Sequence, residues 1–171
     1  VDGRLVDYKE YDWFPANFTR SVQLIEPICL IARLLGARLA IERSGDARRA
    51  AWLTTIAEAL DKDASDAAME RVLRDLEAAG LATDAKFDAI GLCFPDVVVR
   101  NKIVGGEVYK TRGIRNNPAI DYEADFAQLT QLDERLRDQV LPGGGVHIIN
   151  DGPMAAFTAA VEMAFSGDAG K

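Results

Sequence analysis

The stretch from Val146 to Ala156 most constrains how this chain can fold, because a strand passes into a helix there almost without a loop. Val146-His147-Ile148-Ile149 is a β-branched, mostly apolar run that predicts a short buried strand. Asn150-Asp151-Gly152 follows at once, and Pro153 suits the first turn of an Ala-rich helix that continues to Phe165. Strands that alternate with helices predict an α/β fold, in which helices flank a mixed sheet.

Three upstream segments have the apolar spacing of amphipathic helices. Apolar residues recur every three or four positions from Phe18 to Ala40, and Pro27 is expected to break or kink that helix or to begin its main segment. Asp46 to Leu60 predicts a second helix. Asp63 or Ser65 to Ala79 predicts a third, with Gly80 as its C-terminal cap. Four residues of the third helix are expected to face inward: Met69, Val72, Leu73 and Leu76.

Extended structure is expected in two further places. Phe87 to Pro95 is a mostly apolar run that ends in proline, which predicts a strand. Val97-Val98-Val99 predicts another strand, which turns at Gly105-Gly106 and returns through Val108-Tyr109.

The remaining pattern predicts a single α/β lobe over residues 1–171, with a strand at 1–9, a helical layer at 18–80, and strands and final helices at 87–165. Within the last part, Asp121 is expected to open a helix that reaches Val140. Leu141-Pro142-Gly143-Gly144-Gly145 is expected to be a loop.

Composition excludes several classes of function. Twenty Lys and Arg against 27 Asp and Glu give a net charge of −7, which gives no broad attraction for nucleic acid or anionic lipid. No apolar run reaches the ~20 residues of a membrane helix, and there is no signal peptide, so the chain is expected to be cytoplasmic. Cys29 and Cys93 lack metal-ligand spacing and His147 is the single histidine, so no metal site is expected from these residue types.

Asn150 and Asp151 are the first candidates for chemistry, because open α/β sheets bind ligands at the carboxyl ends of their strands. The partial positive charge of a helix start keeps a nearby carboxylate ionised and able to accept a proton. The alternative is that Asp151 merely caps the helix, which is the commoner role of an aspartate at such a position.

Two segments, in this order and at this separation, resemble the hexokinase group of sugar kinases. Gly91-Leu92-Cys93-Phe94-Pro95 and the later Tyr109-Lys110-Thr111-Arg112-Gly113-Ile114 resemble a strand of the form G-F-x-F-S-F-P followed by a hairpin and W-T-K-G-F. Val146 to Ala156 resembles the strand-N-D-helix element of that group and the N-D-A-x-A-A element of the bacterial ROK kinases. The resemblance implies the N-terminal, sugar-binding lobe of an actin-like, ribonuclease H-like ATPase fold.

The resemblance also implies an activity. Such a lobe belongs to a carbohydrate kinase that transfers the γ-phosphoryl group of ATP to a sugar hydroxyl, with ATP and Mg²⁺ as cofactors. Asp151 would be the general base that takes the proton of the attacking hydroxyl.

Five further residues would contact the sugar if the resemblance holds. Asn150 and Thr111 match the family directly. Arg112 stands where the family has lysine, and Cys93 where it has a serine that touches the sugar, which puts ordinary glucose recognition in doubt. Asn116 lies in a polar turn, where it is expected either to supply an extra hydroxyl contact or, as is commoner for such residues, to have a purely structural role.

The family's D-x-G-G-T phosphate loop would precede Val1, and its second lobe would begin soon after Phe165. We therefore expect a fragment or a natural truncation that transfers little phosphate alone and meets nucleotide through segments outside it. One alternative is a non-catalytic sugar-sensing or regulatory relative, and another is a structural module of the same fold. The sugar, the hydroxyl attacked and the oligomeric state, including a homo-oligomer, stay open.

Overall fold

A computed structural model describes residues 18–45, 51, 54, 56, 58, 65–81, 83–105 and 109–165. The strand expected at 1–9 and most of the helix expected at 46–60 lie outside the described residues, as do Gly106 and Val108. The described elements are α1 (Val22–Ser44), α2 (Asp66–Ala78), β1 (Phe87–Phe94), β2 (Val98–Val99), β3 (Lys102–Ile103), α3 (Tyr109–Arg115), α4 (Tyr122–Thr130), α5 (Leu132–Leu136) followed by a 3-10 turn (Arg137–Gln139), β4 (Val140–Asn150) and α6 (Asp151–Phe165).

Strands β1 and β4 pair in parallel, and β2 and β3 form a separate antiparallel hairpin. The register places Phe87 opposite Val140 and Phe94 opposite Asn150. Helices flank this small sheet, so the α/β class expected from the sequence is confirmed. None of the described helices combines the length and the apolar character needed to cross a membrane.

Helix α1 contributes buried residues to two separate apolar cores. It continues through Pro27 without interruption and ends at Gly45, whose φ of 66° is left-handed. Pro27 therefore neither breaks the helix nor begins its main segment, which are two of the three outcomes expected for it. The residue lies in the second turn, where the missing N–H removes one helical hydrogen bond and the rest of the helix continues. The first core includes Leu24, Ile25, Phe126, Leu129, Val146 and Ile148, and the second includes Leu30, Leu34, Ile41, Met69, Leu73 and Leu76.

A carboxylate from α4 caps the start of α1. Asp125 accepts hydrogen bonds from the Ser21 backbone N–H at 2.7 Å and from Arg20 Nε at 2.6 Å. Burial pushes the pKa of Asp125 upward, but these hydrogen bonds outweigh it and hold the pKa below its ordinary value. An anion at a helix N-terminus is stabilised by the exposed N–H groups, so this contact ties α1 to α4.

Helix α2 agrees with the sequence in detail. Ser65 Oγ accepts from the Ala68 N–H at 3.3 Å, and the four residues expected to face inward are all buried. Gly80 has a φ of 70°, and the Leu81 N–H donates to Leu76 O, so the helix ends in a Schellman motif.

The loop expected at Leu141 to Gly145 is wrong, because this segment belongs to β4. Proline and glycine are unfavourable in strands, but the glycines lack a Cβ atom and so permit a close approach of β1. A Cβ atom on Gly144 would overlap the Asp88 carbonyl oxygen and a Val140 methyl group. The strand pairing is irregular between Phe87 and Ala89, next to this approach.

The turn expected at Gly105-Gly106 falls partly outside the described residues, and the described hairpin turns earlier in the chain. The β2–β3 hairpin turns at Arg100 and Asn101, whose φ angles are 49° and 70°. Positive φ at both central residues is typical of a type I′ turn, which asparagine tolerates better than most residues. Tyr109 lies in α3 rather than in a strand.

Asp121 opens a helix as expected, since its side chain accepts from the Ala124 N–H at 3.2 Å. The single helix expected from Asp121 to Val140 is wrong, however. It is divided at Gln131 into α4 and α5, and Val140 already belongs to β4. Leu129, Leu132 and Leu136 are nevertheless fully buried, because both short helices turn their apolar side to the first core.

We predict that Gly144→Ala lowers the free energy of unfolding by about 2–3 kcal/mol, because the new methyl group must push β1 and β4 apart. The matched control is Gly91→Ala in β1, where an added Cβ meets nothing within 4 Å. Urea denaturation of the two variants is the measurement. Equal stabilities would show that the close approach at Gly144 does not exist.

Candidate functional site

The carboxyl ends of β1 and β4 meet at one edge of the sheet. Because the two strands are parallel and Phe94 lies opposite Asn150, the residues that follow each strand are neighbours. Pro95-Asp96 leaves β1 at this edge, and Asp151 begins α6 there. The edge is where open α/β sheets bind ligands, and it unites the two segments that resemble sugar kinases.

Asp151 is exposed, and the cap of α6 is a different residue. Asn150 Oδ1 accepts from the Gly152 N–H at 3.0 Å, which satisfies a free N–H of the first turn. The capping role that the sequence left open for Asp151 is thus performed by Asn150. The Asp151 carboxylate remains at the surface beside the positive end of the helix, where a base can meet a hydroxyl group.

Asn150 also reaches back across the edge. Its Nδ2 donates to the backbone oxygen of Asp96 at 2.8 Å. One N–H of the amide and one lone pair of its oxygen remain for a ligand, so Asn150 can still hydrogen-bond one hydroxyl group.

Asp96 is a site residue that the sequence analysis missed. Its side chain is 2% exposed, and it accepts from Thr111 Oγ1 at 2.7 Å and from the Val97 N–H at 2.8 Å. Gly105 lies directly against it, because a Cβ atom there would overlap the carboxyl group. The available signal was an aspartate directly after a strand-ending proline, a position that sequence alone assigns to an ordinary turn.

The other sequence candidates lie at different distances from this edge. Thr111 is fully buried in α3, with its hydroxyl donating to Asp96. Cys93 is exposed and lies opposite Ile149, on the face of the sheet away from Phe94. Arg112 is exposed on α3, and Asn116 is exposed just after that helix. Within the described part of the chain, hydrogen bonds join Asn150 and Thr111 through Asp96, whereas the other three candidates are exposed side chains.

A pocket of about 560 Å³ opens beside Asn150. It lies between the turn of the β2–β3 hairpin and the first turns of α6. Phe157 on its wall is 65% exposed, unusually much for a large apolar ring. The remaining lining residues are Val98, Arg100, Asn101, Ile148, Ile149, Pro153 and Met154.

Asn101 fastens the hairpin to the outer edge of β4. Its Oδ1 accepts from the Ile148 N–H, and its Nδ2 donates to Val146 O at 2.9 Å and to Asp133 Oδ2 at 3.2 Å. The side chain thus pairs with β4 as a neighbouring strand would, and it covers the outer edge of β4 at Val146 and Ile148.

The adjacent Lys102 strengthens the same attachment. Its Nζ donates to Asp133 at 2.7 Å and to Glu134 at 2.8 Å, and the hydrogen bond to Asp133 raises the pKa of the lysine above its ordinary value. Asp133 is nearly buried at the start of α5, so the ion pair connects the hairpin to the helical layer.

The described residues do not bring three or more His, Cys, Asp or Glu side chains together as a metal site. The carboxyl edge brings together the exposed carboxylate of Asp151, the amide of Asn150 and a neighbouring pocket.

Comparison with known proteins identified no relative. No family model, no curated protein and no solved structure matches the chain. Its likeness to sugar kinases consequently depends on the two segments at the carboxyl edge.

We predict that Asn101→Gly lowers the free energy of unfolding by about 2–3 kcal/mol, near 1 kcal/mol for each lost hydrogen bond. Glycine adopts the positive φ of this position without strain, so the loss reports the side chain rather than the backbone. Urea denaturation measures the change, and Asn116→Gly at the exposed end of α3 is the control. A loss no larger than that of the control would contradict the bridging role of Asn101.

Proposed function

We propose that this chain is the sugar-binding lobe of an ATP-dependent sugar kinase of the hexokinase or ROK type, with Asp151 as general base. The observation that carries the proposal is the parallel register of β1 and β4, which places Phe94 opposite Asn150. Two segments far apart in sequence, each resembling part of a sugar kinase, thereby share one edge. Hydrogen bonds from Asn150 and Thr111 to Asp96 connect them further.

The transfer step needs a base beside the acceptor hydroxyl. The hydroxyl oxygen forms a bond to the γ-phosphorus, the bond from that phosphorus to the bridging oxygen breaks, and ADP leaves. The hydroxyl proton passes to the carboxylate of Asp151, which is exposed at the first turn of α6.

Sugar recognition requires several neutral hydrogen-bonding groups in fixed positions. Asn150 is one such group. Backbone groups hold its amide nitrogen and its amide oxygen in place, and one N–H and one oxygen lone pair remain to bind a sugar hydroxyl. Arg112 and Cys93 are exposed. The loops that bind the phosphates of ATP would lie in sequence outside the described residues.

A second candidate is a sugar-sensing relative that binds without transferring phosphate. The observation that favours it is Thr111, which the resemblance places against the sugar but which is fully buried with its hydroxyl bonded to Asp96. Together with the cysteine and arginine at positions 93 and 112, this departs from the kinase pattern.

We predict that Asp151→Asn lowers kcat by about 10²–10⁴-fold, because the amide cannot accept the hydroxyl proton. The KM for the sugar should change little, since Asn150 still binds it. The measurement is sugar-dependent ADP release by the full-length protein over a panel of hexoses. Asp84→Asn, an exposed aspartate before the amino end of β1, is the matched control.

Three outcomes distinguish the sugar kinase from the sugar-sensing relative. A selective loss of kcat in the Asp151 variant supports the kinase. Unchanged turnover in that variant excludes Asp151 as the base. Sugar binding by the unaltered protein without any ADP release favours the sensor.

A further inference from the structure

Asp96 is buried to an extent that aspartates rarely reach, and neither resembling segment assigns it a role. Its side chain is 2% exposed, between the end of β1 and helix α3. Withdrawing a carboxyl group from water is costly unless fixed hydrogen bonds replace the lost hydration. The replacement here comes from two donors, the Thr111 hydroxyl and the Val97 N–H.

The backbone of Asp96 is held as firmly as its side chain. Its N–H donates to Phe94 O at 2.9 Å, and its carbonyl oxygen accepts from Asn150 Nδ2 at 2.8 Å. Four hydrogen bonds therefore fix one residue at the carboxyl edge. Gly105 closes the remaining side, because any side chain there would overlap the carboxyl group.

The chain of contacts continues from Asp96 into α6. The amide nitrogen of Asn150 faces the carbonyl oxygen of Asp96, and its amide oxygen faces the Gly152 N–H. Rotating the amide by 180° would set oxygen against oxygen and N–H against N–H, so only one orientation satisfies both partners. The order of contacts is then Thr111, Asp96, Asn150 and Gly152, which directly follows the exposed Asp151.

We propose that Thr111 and Asp96 are positioning residues, which set the amide of Asn150 and the first turn of α6 instead of touching the ligand. The hydroxyl of Thr111 fixes the carboxyl group of Asp96, and this fixes the direction of the Asp96 carbonyl. Asn150 follows that carbonyl, and Asp151 is placed by the helix turn that Asn150 caps. The consequence for catalysis rests on the proposed function, whereas the positioning itself does not.

The test compares three variants. Thr111→Val removes the hydroxyl and keeps the shape of the side chain, and Thr111→Ser keeps the hydroxyl. Thr130→Val is the matched control, because Thr130 is a partly buried threonine whose hydroxyl donates to Ile103 O at 2.9 Å and not to Asp96. The first readout is the hydrogen-exchange rate of the Gly152 backbone amide, which is measured by NMR.

We expect Thr111→Val to speed exchange at Gly152 by about tenfold, since the cap loses its fixed partner. Thr111→Ser should restore slow exchange, and Thr130→Val should leave it unchanged. The second readout is kinetic: in the full-length protein, Thr111→Val should lower kcat by about tenfold through a misplaced base, and Thr111→Ser should recover it.

Exchange at Gly152 that is equal in Thr111→Val and Thr130→Val overturns the proposal. An absence of sugar-dependent activity in the unaltered protein refutes the kinase function, but the exchange result still decides the positioning role. If Thr111→Val does not fold, the unaltered protein supplies the test. The side-chain amide protons of Asn150 must then exchange more slowly than those of the exposed Asn116, and equal rates overturn the proposal.

Discussion

The parallel pairing of β1 with β4 is the contact on which the rest of this structure depends. Parallel pairing requires a crossover connection from the carboxyl end of β1 to the amino end of β4, and this connection consists of the β2–β3 hairpin and helices α3, α4 and α5. The same pairing places Asp96 and Asn150 side by side. The strand pairing that defines the fold therefore also assembles the candidate site, since a shift in its register would move Asp96 away from Asn150.

Two features protect this pairing. At the amino end of β4, glycines allow the backbones to approach more closely than side chains would permit, as Gly144 against Asp88 shows. Along the outer edge of β4, Asn101 makes hydrogen bonds of the kind that a neighbouring strand makes, and Asp133 and Lys102 anchor it to α5. Buried polar groups thus appear where the backbone would otherwise lack partners.

Local signals in the sequence predicted the elements that local interactions stabilise. The cap at Ser65, the Schellman ending at Gly80 and the switch from strand to helix at Asn150 were all predictable, because neighbouring residues make the contacts that define them. The glycine run in β4 and the hairpin turn at Asn101 were not predictable. Their conformations depend on strands that arrive from elsewhere in the chain, and tertiary contact overrides local propensity there.

The candidate site divides in the same way. Asn150 and Asp151 could be selected from sequence, because a polar pair between a strand and a helix has a known geometric meaning. Asp96 could not, since its burial arises from α3 and Gly105 closing over it. The most direct measurement of the central claim is an NMR titration of the ¹⁵N-labelled protein with a panel of hexoses. Saturable shifts at the amides of Cys93, Asn150 and Gly152 are predicted, and shifts confined to other regions, or none with any hexose, would contradict the account.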